Sequence, residues 1–260
     1  MIDIQYTAAG ALTGFVVGLT GVGAGALMTP ILLLIFGVSP ATAIATDLWF
    51  AVATKLVAAR IHGSGGQVDW MVVRRMWLGS LPMALVVVLL IAAGVKVEKV
   101  DWLTQAIGLV VMLTAVGMLL APRLLRTARG LRLGDPGKFK ANQPLLTIVA
   151  GALLGLCVAI TSVGAGALGS VMLLYLYPLR MTPHKLIATD LVHAIALAMV
   201  AGLGYLLAGL VDGAMLLSLL MGSIPTVIIG SMLATRLEGR RLQIILATAL
   251  LIIGLKVLLQ

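Results

Sequence analysis

The glycine-rich stretch T20-GVGAGA-L27 decides how the fold of this chain is interpreted. From Gly21 it fits the dinucleotide-binding pattern G-x-G-x-x-A, and Asp47 follows at about the spacing of a ribose-binding carboxylate. The stretch returns as T161-SVGAGA-L168, where Ser162 replaces the first glycine of the pattern. Neither copy follows a plausible soluble strand, so the pattern indicates a glycine-rich break inside a longer apolar segment.

Composition indicates an α-helical integral membrane protein. Of the 260 residues 61% are hydrophobic and 10% are charged, with a mean hydropathy of +1.16, whereas a soluble domain carries about 25% charged residues. The apolar runs are continuous rather than alternating, which argues against a barrel. The net charge of +9 lies mostly in short gaps between these runs, where membrane proteins carry it. Lipid headgroups are therefore expected partners, and nucleic acid is not.

The apolar runs form an internal duplication. A45-TDL returns as A188-TDL, and Asp69 returns as Asp212, both 143 positions later. One duplicated membrane unit is the usual construction of secondary transporters. We predict a first repeat at 1–121, a basic cytoplasmic loop at 122–143 and a second repeat at 144–260. Eight apolar segments are predicted, four in each repeat: 7–37, 41–61, 70–94, 101–121, 144–178, 183–209, 213–235 and 241–259.

The first segment of each repeat is too long for one ordinary span and too short for two. It is either a broken helix that crosses once or a re-entrant hairpin that returns to its starting side. If all segments cross, ten basic residues lie inside and seven outside; if 7–37 and 144–178 are re-entrant, the counts become fourteen and three. The positive-inside rule favours the second arrangement, in which the repeats are inverted.

Glycines in these segments would free backbone N–H groups near the membrane midplane, and the helices that restart there direct their positive ends at the same place. Two such ends predict an anion site, to which nearby hydroxyls add donors. The alternative is that small residues only let helices pack closely. The candidate substrate-binding residues are Thr20, Gly21, Gly23, Gly25, Thr161, Ser162, Gly164 and Gly166.

Asp47 and Asp190 are the acids placed well inside apolar segments, where a carboxylate costs about 3 kcal/mol. They either take up and release protons during transport or brace the glycine breaks through hydrogen bonds. His193 lies one helical turn after Asp190 and is a further proton-coupling candidate. Lys55 either extends to the inner membrane face, which we favour, or supplies a countercharge to the substrate.

Two prolines are candidate gating residues. Pro82 and Pro225 end the repeated motifs G79-SLP and G222-SIP and are expected to kink their segments, and a plain bend without a gating role is the favoured explanation. Asp69 and Asp212 are expected to cap the helices that follow them. The sequence has no Cys/His metal spacing, phosphate-binding loop or nucleophile motif, so we predict no cofactor, no metal and no enzyme activity.

Several motifs together resemble one known family. G21-VGAGALMTP-30, A45-TDL, H62-GSGGQVDW-70 and G79-SLP, with their second-half partners, are similar to the TauE/SafE sulfite exporter family of bacterial permeases over essentially the whole chain. The resemblance implies a multi-pass protein of the bacterial inner membrane that exports or imports sulfite, sulfonates or related small organic anions.

We therefore predict a secondary transporter of a small, sulfur-containing anion, coupled to protons and working by alternating access. The alternative is a proton- or cation-handling carrier or channel in which the aspartates bind the cargo. A membrane-embedded enzyme or assembly subunit is a more distant alternative. The sequence does not give the oligomeric state.

Overall fold

The computed structural model describes residues 3–20, 25–62, 68–93, 102–134, 136–233 and 239–259, and outside turns this part of the chain is helical. The predicted all-α class is confirmed. Helices are favoured because lipid offers the backbone no hydrogen-bond partner. Ten helices lie in these ranges: α1 Ile4–Thr20, α2 Gly25–Leu34, α3 Pro40–His62, α4 Trp70–Ala92, α5 Trp102–Gly134, α6 Pro136–Thr161, α7 Ala167–Leu176, α8 Pro183–Leu207, α9 Gly213–Leu233 and α10 Gly239–Leu258.

Six helices within the described ranges are long and apolar enough to span a bilayer, namely α3, α4, α5, α6, α8 and α9. The chain is therefore a membrane protein. Of these six, α3 and α8 are the most enclosed by protein, and they lie at the centre of the molecule.

The predicted loop at 122–143 is wrong in its conformation. Helix α5 continues through Pro122 to Gly134, and α6 begins at Pro136. The stretch R123-LLRTARGLRL is rich in leucine and arginine, both good helix formers, so the helix extends beyond its apolar part.

Close contacts at glycines show the directions of the packed helices. Along α1 and α9, Gly10 contacts Leu219 and Gly14 contacts Ser223, so the two helices run in the same direction. A methyl group on Gly14 would lie 2.6 Å from Ser223 Cα, so glycine is what allows this approach.

The same kind of contact joins α4 to α6. Gly151 packs on the backbone of Met76, and Gly155 packs on Ser80, so α4 and α6 also run in the same direction. In contrast, α5 and α10 are antiparallel, because Gly108 contacts Leu258 while Met112 contacts Gly254.

The short helices α2 and α7 each fold back on the helix that follows. The Thr29 hydroxyl of α2 donates to Asp47 of α3 across a turn at residues 35–39. Likewise, Gly169 of α7 lies against Asp190 of α8. Helix α2 therefore packs against the part of α3 that carries Asp47, and α7 packs against the part of α8 that carries Asp190.

Candidate functional site

The turn between α6 and α7 has a backbone that requires glycine. Gly164 has φ +115° and Gly166 has φ +124°, a region that side chains with a Cβ rarely adopt. Gly166 is the N-cap of α7 and places that helix end inside the protein. Their first-half counterparts are Gly23, which lies outside the described residues as Gly21 does, and Gly25, where α2 begins.

Asp47 receives one strong hydrogen bond and keeps one oxygen unused. It is fully buried, and the Thr29 hydroxyl donates to its Oδ2 over 2.5 Å. Ser162, from the α6–α7 turn of the second half, adjoins the same carboxylate. Among the described residues, however, neither Asp47 Oδ1 nor Ser162 Oγ has a hydrogen-bond partner. The two groups therefore face each other inside the protein without the geometry of a full hydrogen bond.

Asp190 and His193 form the second-half side of the site. Asp190 is 2% exposed, and its Oδ1 lies where a side chain on Gly169 would have to be. His193 is fully buried, and its Nε2 is 2.9 Å from the Ser80 hydroxyl of α4. Within the part of the chain that the structure covers, Asp190 Oδ1 and His193 Nδ1 have no hydrogen-bond partner.

Lys55 joins the two halves at the centre, and the expectation that it reaches the inner membrane face is wrong. Its side chain is 1% exposed, and its Nζ donates to the Ala165 carbonyl over 2.9 Å. It is close enough to interact electrostatically with both Asp47 and Asp190. Protein surrounds this part of α3, and the turn carbonyl gives the ammonium group an acceptor inside it.

These side chains form one group, which we call the central polar cluster: Asp47, Lys55, Ser162, Asp190 and His193. The cluster contains one ammonium group and two carboxylates, all buried. Burying charge is favourable only when it is paired and hydrogen-bonded. Protons on the two carboxylates would change the net charge of the cluster.

The other predicted hydroxyl donors bond mainly to their own helices. Thr20 donates to the Val16 carbonyl over 2.8 Å, and Thr161 donates to the Cys157 carbonyl over 2.6 Å. Thr20 also lines a cavity of about 130 Å³, together with Ala167 and Ser170 of α7. Of the three hydroxyl residues, Ser162 is the one whose Oγ is buried and directed at a carboxylate.

The candidate gating prolines lie inside continuous helices. Pro82 is within α4 and Pro225 is within α9, and both are exposed. Each comes two residues after the serine of its motif, Ser80 or Ser223, and both serines are buried. Their role in gating stays a prediction.

Thr29 and Ser80 were missed by the sequence reasoning, although they contact Asp47 and His193. Ser80 belongs to the repeated Gly-Ser-x-Pro motif, which was a usable signal. Thr29 has no such signal, because its partner is 18 residues away and is placed by the fold.

A separate ion cluster forms at the start of α4 and α8. Asp69 caps α4 as predicted, accepting from Val72 N, and Arg180 Nη2 donates to Asp69 Oδ1 over 2.9 Å. Lys185 Nζ is 3.2 Å from Asp69 Oδ2. Burial acts to raise the pKa of Asp69, but the hydrogen bonds and positive charges of Arg180 and Lys185 outweigh it and hold the pKa below its ordinary value.

Asp212, the counterpart of Asp69, caps α9 as predicted. Its Oδ1 accepts from Ala214 N and Met215 N, each over 3.0 Å. In the described ranges it forms no ion pair.

Those ranges also contain no group of three or more His, Cys, Asp or Glu side chains that could hold a metal ion.

Comparisons with known proteins agree on the class. The family model described as sulfite exporter TauE/SafE matches residues 6–257. A relative described as probable membrane transporter protein YjnA, from Bacillus subtilis (strain 168), is 33% identical over 263 residues, covering 99% of this chain and 100% of that protein. No solved structure matches.

Proposed function

This chain belongs to the sulfite exporter TauE/SafE family of membrane transporters and is not an enzyme; from that premise we propose that it carries a small, sulfur-containing anion such as sulfite or a sulfonate. Transport is secondary, coupled to protons and achieved by alternating access in a bacterial inner membrane. The family description supports the sulfur anion, and the buried cluster supports the coupling.

Inverted repeats are supported by the helix directions. Helix α4 runs parallel to α8, because Trp77 lies at His193 while Val88 lies at Gly204. Helices α3 and α8 run in opposite directions, because Trp49 lies at Gly202 while Asp69, which follows α3, lies at Thr189. The turn at residues 208–212 reverses the chain between α8 and α9, so corresponding helices of the two halves point in opposite directions. Helices α5 and α10, which contact each other directly, follow this rule. A pseudo-twofold axis in the membrane plane accounts for the arrangement.

The same directions support re-entrant first segments. Helix α1 runs parallel to α9 and therefore to α3, so α2 must return between them. The equivalent holds for α6, α7 and α8. On this interpretation α2 and α7 enter from opposite sides, and their N-terminal ends meet at the central polar cluster.

One observation carries the proposal: a buried lysine, held by the carbonyl of Ala165, lies between two buried carboxylates that retain unused oxygens. An ammonium group is the fixed positive charge that an anion needs. The contacts of this cluster join the two halves, Lys55 to Ala165 and Ser80 to His193. Movement of one half against the other would therefore change the site, which is what alternating access requires.

A proton- or cation-handling carrier is the second candidate, and it is favoured by the excess of carboxylates over ammonium groups in the cluster. Purified protein in liposomes separates the two. We expect uptake of radiolabelled sulfite above that of protein-free liposomes, and no flux of sodium, potassium or rubidium. Cation flux without sulfite flux would replace the anion proposal with the second candidate.

A further inference from the structure

The charged groups that face each other at the centre can be counted. Helix α3 contributes Asp47 and Lys55, and α8 contributes Asp190 and His193. The neighbouring elements add neutral groups: Thr29 from α2, Ser80 from α4 and Ser162 from the α6–α7 turn. Residues 21–24, which lie outside the described ranges, have no titratable side chain in the sequence. The balance is one lysine against two aspartates, beside a buried histidine that has no acidic hydrogen-bond partner among the described residues and is therefore counted as neutral.

This balance restricts the states that can exist inside the membrane. A net charge buried in a low-dielectric interior is costly, so the site is most stable when it is neutral overall. Without substrate, neutrality requires Lys55 charged, one aspartate ionised and the other protonated. When a monoanion binds beside Lys55, neutrality requires both aspartates to be protonated.

The duplication provides no second cation. Ala198 occupies the second-half position equivalent to Lys55. A bound dianion would leave the site with one uncompensated negative charge even when both aspartates carry protons. A monoanion would leave none.

Resting on the proposed function, we infer that the site moves one monoanion together with one proton, so that each transport cycle is electroneutral. Lys55 is the permanent countercharge and the residue that selects monoanions. The proton comes from the solution on the side where the anion enters, and it binds a carboxylate oxygen of Asp47 or Asp190. It leaves from the same oxygen on the other side, after the anion departs. No covalent bond to the anion forms or breaks.

Liposomes containing the protein, loaded with potassium and treated with valinomycin, test the charge balance with radiolabelled sulfite. We expect an imposed membrane potential of either sign to leave initial uptake within twofold of its unclamped rate. A pH gradient, acidic outside, should increase accumulation at least tenfold. The membrane-potential arm measures net charge moved, and protein-free liposomes under the same pH gradient correct for sulfite that crosses as the neutral acid. Uptake driven by potential and indifferent to pH would overturn the inference while leaving anion transport established.

Absence of sulfite uptake in every condition would instead contradict the proposed function itself. The two failures are thus distinguishable in one preparation.

Neutralising the lysine tests its role. Lys55→Gln should reduce sulfite uptake and sulfite–sulfite exchange at least tenfold, whereas Lys256→Gln, which removes an exposed lysine of α10, should leave both unchanged. Full activity of Lys55→Gln would contradict the countercharge. If that variant is not recovered folded, the valinomycin measurement on the unaltered protein decides alone.

Discussion

Helices α3 and α8 occupy equivalent places in the two halves, but they differ in chemistry. Both carry an aspartate after Ala-Thr, yet α3 has Phe50 and Lys55 where α8 has His193 and Ala198. The two halves share a packing pattern, in which α1 runs parallel to α9 and α6 runs parallel to α4. The lysine and the histidine of the central polar cluster occur in one half each, Lys55 in α3 and His193 in α8. A symmetric frame thus encloses an asymmetric site.

The ends of these helices differ in the same way. At the α7–α8 turn, Arg180 and Lys185 pair with Asp69. Before α3, Tyr6 packs on Phe36 with ring centroids 4.6 Å apart. An ion cluster thus lies at one end and a pair of packed rings at the other, so salt and pH should act on the two ends differently.

The largest effect is expected at the α6–α7 turn. Gly164→Val should reduce sulfite transport roughly a hundredfold or more, because a β-branched residue resists φ +115° and misplaces the Ser162 and Ala165 groups. Gly130→Val is the control, since Gly130 is exposed and has open space around it. Uptake in liposomes measures both. Normal transport by Gly164→Val would remove the turn from the site.

The two aspartates should separate binding from coupling. Asparagine resembles a protonated aspartate but releases no proton, so the double variant Asp47→Asn/Asp190→Asn should retain anion exchange and lose pH-driven accumulation at least tenfold, whereas either single variant keeps one carboxylate that can take up the proton. Counterflow and gradient-driven uptake on the same variants compare the two activities. Unchanged accumulation in the double variant would end proton coupling through these carboxylates. Loss of both exchange and accumulation would instead indicate that the aspartates stabilise the glycine turns through hydrogen bonds.

The fold class followed from the sequence because lipid leaves few alternatives: long apolar runs must be helices. The position of Asp47 and Asp190 within those runs was also visible. The environment of Lys55 was not, because its acceptor, the Ala165 carbonyl, is 110 positions away and belongs to the other half. The helical course of residues 122–134 was missed because polarity was interpreted as a loop, although leucine and arginine favour helices.

The smallest expected effect is a difference in stability between variants of the two capping aspartates. Asp69→Asn should lower the free energy of unfolding by about 1–3 kcal/mol, because it weakens charged hydrogen bonds from Arg180. Asp212→Asn should change it by only a few tenths, because asparagine caps a helix about equally well. Thermal unfolding in detergent measures both. Equal losses would show that Asp69 acts only as a cap.

The contribution of Asp69 to stability should also depend on pH. Because the folded protein holds the pKa of Asp69 below its ordinary value, the charged carboxylate stabilises the fold above about pH 4, and this contribution is lost as pH falls through the folded pKa. The stability difference between the unaltered protein and Asp69→Asn should therefore shrink in acid. A difference that grows in acid would contradict the ion cluster.

The central claim is that the two halves have opposite orientations in the membrane. Its most direct test is to attach one label to each half and to determine on which side of the membrane each label lies. Ser39→Cys and Thr182→Cys replace exposed residues just before α3 and α8, each in a Cys157→Ala background. In intact cells, a membrane-impermeant maleimide should label Cys at position 39 from outside, and it should label Cys at position 182 only after the membrane is opened. Labelling of both positions from the same side would contradict the inverted arrangement.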